Sequence, residues 1–311
     1  MDSLKMEALK EVNPVQPFLK WAGGKRWIGN LLVEILGNGN GKGKFIEPFI
    51  GGGACFFLSK SKKAILSDLN EELIDCYKAV RDHPDAIIRK LNNIPINKKT
   101  FLEIRSKTPT NKIQLAVRFI YLNRTAFNGL YRVNKNGDFN VPFGCKPTTK
   151  FHPPEIIKNC SQRLLKAKII SSDFESTLSK ARTGDRIYLD PPYTVKHNNN
   201  GFRRYNERIF TWFDQRRLAN RVQELAKKDC RLVMTNALHH EIVKLYSSKY
   251  FKAFSIFRNS NMAASSSKRG PCQELLIISK STDLNKANLN YLFEKYLPGK
   301  VEKINLPIRN E

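Results

Sequence analysis

The apolar run Arg186-Ile187-Tyr188-Leu189 ends in Asp190-Pro191-Pro192-Tyr193, and this stretch constrains the chain more than any other. Two consecutive prolines have no N–H to give a ladder and hold φ near its fixed value, so a strand that reaches them must stop. The run before them is short and almost wholly apolar, as expected of a strand covered on both faces in a parallel α/β sheet. In open sheets of that kind ligands bind beyond the carboxyl ends of the strands, which is where Asp190 falls. What the stretch then offers is acceptors: the Asp190 carboxylate, the Pro191 carbonyl, and beside them the flat face of Tyr193, on which a planar base can stack. Such a set suits the holding of an amino group. The plainer alternative is a Pro-rich turn closing a buried strand.

Two earlier stretches fit the same sheet. Lys44-Phe45-Ile46-Glu47-Pro48-Phe49-Ile50 runs into Gly51-Gly52-Gly53 and then the apolar Ala54-Cys55-Phe56-Phe57, which reads as strand, tight turn and helix. A turn of this type lets a cofactor lie across it, although the glycines do not follow the strict dinucleotide spacing. The next apolar run ends in Asp68, 21 positions after Glu47, a spacing that suits a carboxylate on a ribose; an acid opening the following helix is the other reading. Ahead of both, Pro17-Phe18-Leu19-Lys20-Trp21-Ala22-Gly23-Gly24-Lys25-Arg26-Trp27 sets two glycines between aromatics and cations. Its backbone can approach a ligand, Trp21 supplies a stacking face and Lys25 can meet a carboxylate; a turn leading into a helix would look similar.

Alternation of strands and helices pauses over 71–162, which reads as an inserted, mainly helical domain. Residues 72–91 carry apolar positions at helical spacing broken at Pro84, and 115–122 form a further helix. Asn136-Gly137 between Tyr131-Arg132-Val133 and Phe139-Asn140-Val141 predicts a β-hairpin with a type I′ turn. Asn128 and Arg132 on such a hairpin suit a DNA groove, since Arg pairs with guanine and Asn with adenine; a solvated surface hairpin is the alternative. Strands resume at 168–174, 186–189 and 231–235, with 254–257 and 275–278 as a terminal pair and a helix over 213–227. Residues 283–311, with a helix over 288–296, are expected to lie beyond the sheet. The fold class predicted is α/β, a Rossmann-like sheet in two chain segments, 17–70 and 163–281, around the insert.

Charge narrows the partner. The 311 residues hold 54 Lys plus Arg against 28 Asp plus Glu, a net charge of +26, which points to a polyanion, nucleic acid before a membrane surface. No apolar run reaches spanning length and residues 1–16 contain none, so neither anchor nor signal peptide is expected and the chain reads as cytosolic. The six cysteines lack CxxC spacing, which argues against a zinc site and a disulfide framework. Two loops follow no period, 194–208 and 258–272. The first follows the proposed site and carries Arg203 and Arg204, read as phosphate contacts that close over DNA; a solvated linker is the alternative.

Taken together, PFLKWAGGKRW (17–27), FIEPFIGGGACFF (45–57), LSDLN (66–70), FNGLYRVNKNGDFNVPFG (127–144) and LDPPY (189–193) stand in the order found in the Dam-type, D12 class (α-group) DNA adenine-N6 methyltransferases, which the chain resembles over roughly 17–280. The resemblance implies S-adenosylmethionine as cofactor, bound by Trp21, Lys25, Asp68 and the glycine turn with Gly51 and Gly53, and Glu47 and Asp173 join this candidate set. It implies that Asp190 borders both cofactor and target base, with Pro191, Pro192 and Tyr193 completing the catalytic motif. It puts the recognition domain at the insert, with Lys20, Asn128, Leu130, Arg132 and Pro142 reading or wedging into a site such as GATC in double-stranded DNA. Ala126-Phe127 before the Asn and residues 194–208 depart from the familiar pattern, which bears on the sequence read more than on the chemistry. A DNA-binding protein without catalysis, a methyltransferase for cytosine N4 or RNA, and a partner restriction endonuclease sharing the site all stay open at this level.

Overall fold

The computed structural model describes residues 14–37, 43–134, 136–144, 151, 153–193, 210–259, 271–282 and 284–306. An eight-stranded sheet runs through it in the order β3-β2-β1-β4-β5-β7-β6-β8. The strands are β1 Phe45–Glu47, β2 Ala64–Asp68, β3 Ala167–Ser171, β4 Arg186–Leu189, β5 Arg231–Ala237, β6 Phe251–Asn259, β7 Pro271–Ser279 and β8 Val301–Ile304. From β3 to β5 neighbours are parallel, while β7 runs antiparallel to both β5 and β6, and β8 to β6. This is the Rossmann-like α/β sheet. Its strand order reverses between β1 and β4, so Glu47 and Asp190 flank the switch point where open α/β sheets keep their crevice.

Period-two alternation explains why the central strands look apolar throughout. Ile187 and Leu189 of β4 join Leu232 and Met234 of β5 in the core on one face, and Tyr188 and Val233 enter the core on the other. On the first face α9, Trp212–Lys227, packs Leu218, Val222 and Leu225. It starts at a capping box in which Thr211 Oγ1 accepts from Asp214 N at 3.3 Å and Asp214 Oδ2 from Thr211 N at 2.8 Å.

On the opposite face lie α1 (Gly29–Ile35), α2 (Ala54–Leu58) and the helical segment between β2 and β3. That segment holds α3 Glu71–Asp82, α4 Pro84–Asn92, α5 Lys98–Ser106, α6 Lys112–Thr125 and α7 Pro154–Leu164. The expected interruption at Pro84 is a new helix start, with the proline in the first turn where its missing N–H costs nothing. Leu73, Tyr77 and Val80 of α3 and Phe119 and Ile120 of α6 share one continuous core with Phe18, Leu31 and Phe57. Asn123 of α6, fully buried, accepts from Lys20 N at 2.9 Å and donates to Lys20 O at 2.6 Å, which fastens the segment to the N-terminal motif.

Two expectations need correction. The 131–141 stretch is a short hairpin, an antiparallel bridge from Val133 to Phe139 flanked by Asn134 N to Asp138 O at 2.8 Å and Asn140 N to Arg132 O at 3.0 Å, but its turn differs from the one expected. Gly137 alone of the Asn136-Gly137 pair has positive φ (86°), so the turn is not type I′, which requires it at both. Asn134 accounts for this: its Oδ1 accepts from Asn136 N and Asp138 N, both at 2.9 Å, so a side chain folds the turn from within. The C-terminal stretch also does not lie wholly beyond the sheet, because β8 pairs with β6 at its edge. The remaining elements are α8 Phe174–Leu178, α10 His240–Leu245 and α11 Lys286–Tyr296. Among the described residues no helix is long and apolar enough to cross a membrane.

Candidate active site

Four acids stand at or just beyond the carboxyl ends of adjacent parallel strands: Glu47 and Asp68 as the last residues of β1 and β2, Asp190 directly after β4 and Asp173 two positions after β3. Each has a different task. Glu47 is 2 % exposed and its Oε2 accepts from Phe56 N at 3.1 Å. It thereby supplies the cap that Gly53, lacking a side chain, cannot give the first turn of α2. Burial pushes its carboxyl well above the usual range, against the pull of that N–H and with help from the nearby Asp190 charge.

Asp68 holds the glycine turn from the other side, its Oδ2 accepting from Gly51 N and its Oδ1 from Asn70 N, both at 3.1 Å. Burial raises this carboxyl too, opposed by those N–H groups. Gly51 and Gly53 have φ of 44° and 67°, and a Cβ on Gly51 would come 2.7 Å from the Trp21 indole. The turn and Trp21 are therefore built against one another. Trp21 in turn stacks on Tyr131 at 5.9 Å and 18°, and Tyr131 on Phe119 at 5.0 Å, so the N-terminal motif, the glycine turn and the helical segment meet through aromatic faces. Asp173 is bound to α9: it accepts from Arg217 at 3.0 Å and caps α8 through Glu175 N.

Asp190 is held by two side chains. Lys25 Nζ lies 2.9 Å from Oδ1 and 3.0 Å from Oδ2, and Thr235 Oγ1 donates to Oδ1 at 2.8 Å. Thr235 also meets the buried Tyr188 hydroxyl at 3.1 Å. Burial raises the Asp190 carboxyl, and the Lys25 charge opposes it most strongly. A carboxylate has about four acceptor positions, so these partners leave room for more, and its side chain stays 19 % exposed on the crevice side. Lys25, 3 % exposed, gives a further hydrogen bond to Gly23 O at 2.7 Å and lies 4.9 Å from the Tyr193 ring centroid. The Tyr193 hydroxyl donates to Glu274 Oε2 at 3.0 Å.

The expected DNA-reading residues divide. Lys20, Asn128 and Pro142 are exposed and Leu130 half-buried, on neighbouring backbone: a Cβ on Gly129 would meet Lys20 Cβ at 2.7 Å, and Phe127 N donates to Pro142 O at 2.9 Å. Asn128 sits in the left-handed region at φ 55°, where Asn is among the few residues at ease. Arg132 is also exposed, with Nε 2.8 Å from Asn140 Oδ1. Arg203 and Arg204 lie outside the described residues. Sequence reasoning missed Thr235, Glu274 and Arg258. The signal available for Glu274 was an acid leading directly into an apolar run, Leu275-Leu276-Ile277-Ile278, where Asp190 instead closes one.

A family model described as D12 class N6 adenine-specific DNA methyltransferase matches residues 21–263. The chain is 36% identical over 288 residues to the Type II methyltransferase M.MjaIII of Methanocaldococcus jannaschii, covering 85% of this chain and 99% of that one. It is 35% identical over 277 residues to the Type II methyltransferase M1.LlaDCHI of Lactococcus lactis subsp. cremoris, covering 85% and 95%. To the DNA adenine methylase of Haemophilus influenzae it is 30% identical over 288 residues, covering 88% and 97%.

Proposed function

The chain belongs to the D12 class N6 adenine-specific DNA methyltransferases, and from that premise we propose that it moves a methyl group from S-adenosylmethionine to N6 of an adenine turned out of duplex DNA, within GATC or a closely related site. The observation that carries this reading is the Asp190 carboxylate at the sheet's switch point, gripped by Lys25 and Thr235 and still open to the crevice.

When bound, S-adenosylmethionine supplies an electrophilic methyl group on a sulfonium. The crevice suits it. Gly51 and Gly53 keep the turn bare of side chains, Asp68 offers acceptors for ribose hydroxyls, and Trp21 offers a face. Asp190 and the Pro191 carbonyl accept from the two amino hydrogens of adenine. Its amino lone pair is delocalised into the ring, and these acceptors favour the pyramidal nitrogen of the transition state by placing negative potential where positive charge develops. Tyr193 stacks on the base, whose removal from the helix costs a few kcal/mol. Lys20, Asn128, Leu130, Arg132 and Pro142 read the flanking pairs. No covalent bond to the protein is required, so the free thiols stand outside the chemistry.

The test is transfer of labelled methyl to two duplexes alike except that one contains GATC and the other a scrambled site, followed by nucleoside analysis, with Asp190→Ala in parallel. N6-methyladenine on the first duplex alone, and an inactive variant that binds DNA as the parent does, is the expected result. Label on neither duplex but on genomic DNA removes GATC and keeps the chemistry; tight DNA binding without transfer to any nucleic acid removes the chemistry. Two relatives are named Type II methyltransferase, which makes an endonuclease reading the same site the partner to test for first.

A further inference from the structure

Glu274 belongs to none of the motifs above, yet its carboxylate joins them. It lies on β7 opposite Ala237 of β5, which brings it to the carboxyl edge of the sheet beside Asp190. It is 1 % exposed. One oxygen accepts the Tyr193 hydroxyl at 3.0 Å and lies 3.7 Å from Lys25 Nζ; the other is 2.7 Å from Nε of Arg258 on β6. A buried carboxylate is costly unless paired and hydrogen-bonded, and this one has two cations and a hydroxyl around it. Lys25 is shared: one ammonium faces Asp190 and Glu274 together. The group of four closes at formal neutrality, Lys25 and Arg258 against Asp190 and Glu274.

The arrangement has consequences for both parts of the proposed site. Tyr193 follows two prolines, so its backbone is stiff and its side chain has two torsions left to set. A hydroxyl held at the far end of the ring fixes both, and with them the plane offered to a base. Lys25 Nζ touches both Asp190 oxygens and lies 3.7 Å from Glu274 Oε2, so the Glu274 charge bears on where the ammonium sits against Asp190.

We infer that Glu274 is a positioning residue for methyl transfer, holding the Tyr193 ring plane through its hydroxyl and setting Lys25 so that Asp190 keeps acceptor positions open to the amino group. This rests on the assignment of Asp190 and Tyr193 to the target base. A purely structural role, in which the Arg258 pair only braces the β6–β7 hairpin, makes different predictions.

The test uses the full chain with Glu274→Gln, Glu274→Ala, Tyr193→Phe and the Tyr193→Phe/Glu274→Ala double variant. Turnover, KM for DNA, melting temperature and the pH profile of kcat are measured on a duplex the parent methylates. Glu274→Ala is expected to lower kcat by about 10- to 100-fold, the scale of an ångström-level misplacement, with KM for DNA within about threefold. Tyr193→Phe should lose a similar factor, and the double variant no more than the worse single one, because both cut the same link. Glu274→Gln keeps an acceptor for the hydroxyl and removes the charge. The groups facing Asp190 are Lys25, Glu274 from β7, Tyr188 and Tyr193 from β4 and its extension, Glu47 from β1 and Cys55 from α2. With one anion gone from that set, the acid limb of the kcat profile moves to lower pH. Additive losses in the double variant, an unmoved acid limb, or activity that falls only with the folded fraction would each overturn the inference. A parent protein that methylates no nucleic acid would remove the functional reading and this inference with it, whereas a working parent with additive losses removes this inference alone.

Discussion

Lys25 and Asp190 are 165 positions apart in the chain and 2.9 Å apart at the site. The pair joins the N-terminal glycine motif to the end of β4, and it sets the charge state of the carboxylate. Burial raises the Asp190 carboxyl and Lys25 is the largest influence against it. Removing one member of a buried pair leaves an uncompensated charge, typically at a cost of about 3–5 kcal/mol. Lys25→Met therefore leaves the carboxyl free to climb. The acid limb of the kcat profile should move to higher pH, with turnover near neutrality down by about 100-fold, a scale seen when one electrostatic partner of a transition state is removed, and a lower melting temperature. A profile with an unmoved acid limb would mean that Lys25 does not govern Asp190.

Gly51 makes a sharper demand on the turn than its neighbours. Its φ is 44° and a Cβ there would sit 2.7 Å from two atoms of the Trp21 indole. Gly51→Ala should cost about 1–2 kcal/mol for the left-handed backbone alone, with more for the displaced indole. Calorimetric titration with S-adenosylhomocysteine is expected to show weaker binding than melting temperature alone would explain. Unchanged affinity in a folded variant would show that the cofactor does not cross this turn.

How far the sequence discloses the fold depends on whether the determining contact is local. The β1 and β4 stretches are legible because each motif carries its own stop signal, three glycines in one and two prolines in the other. The break at Pro84 is legible for the same reason. The 131–141 turn is not, since Asn134, two residues ahead of the Asn-Gly pair, takes on its side chain the Asp138 N–H that would close a type I′ turn, and on its carbonyl the Gly137 N–H. Edge strand β8 has two consecutive exposed charged residues, Glu302 and Lys303, and too little apolar character to announce itself. At the site, Asp190 and Tyr193 can be named from their motif, but Thr235, Glu274 and Arg258 come from β5, β7 and β6. Their roles follow from the strand order, which no single stretch encodes.

Arg132 is aimed by Asn140. Its Nε donates to Asn140 Oδ1 at 2.8 Å, while Asn140 N donates to Arg132 O at 3.0 Å. Loss of a base-reading arginine costs about 1–3 kcal/mol of discrimination at one position, with little change in salt dependence. Arg132→Ala should show that pattern, and Asn140→Ala a weaker version of it, because the guanidinium remains but loses its brace. Methylation rates on duplexes substituted at each position of the site distinguish the cases. Weakening that is uniform across sequences, with a shallower salt slope, would make Arg132 a phosphate contact instead.

Glu47 gives a stability prediction with a definite sign. Its carboxyl is buried and its folded value lies well above the ordinary carboxylate range, burial being the main cause. In the unfolded chain it titrates near its usual value of about 4.3. Between the two values the unfolded chain has lost the proton and the folded one keeps it, so stability falls with rising pH. The contribution is fully present below the unfolded value and is lost as pH climbs through the folded one. Glu47→Gln keeps an acceptor for Phe56 N and has no proton to lose. Urea midpoints for parent and variant measured from pH 5 to 8 should therefore diverge, with the variant gaining relative to the parent as pH rises toward the folded value. Parallel curves would mean that Glu47 is ionised in the folded protein, with the hydrogen bond from Phe56 N compensating its burial.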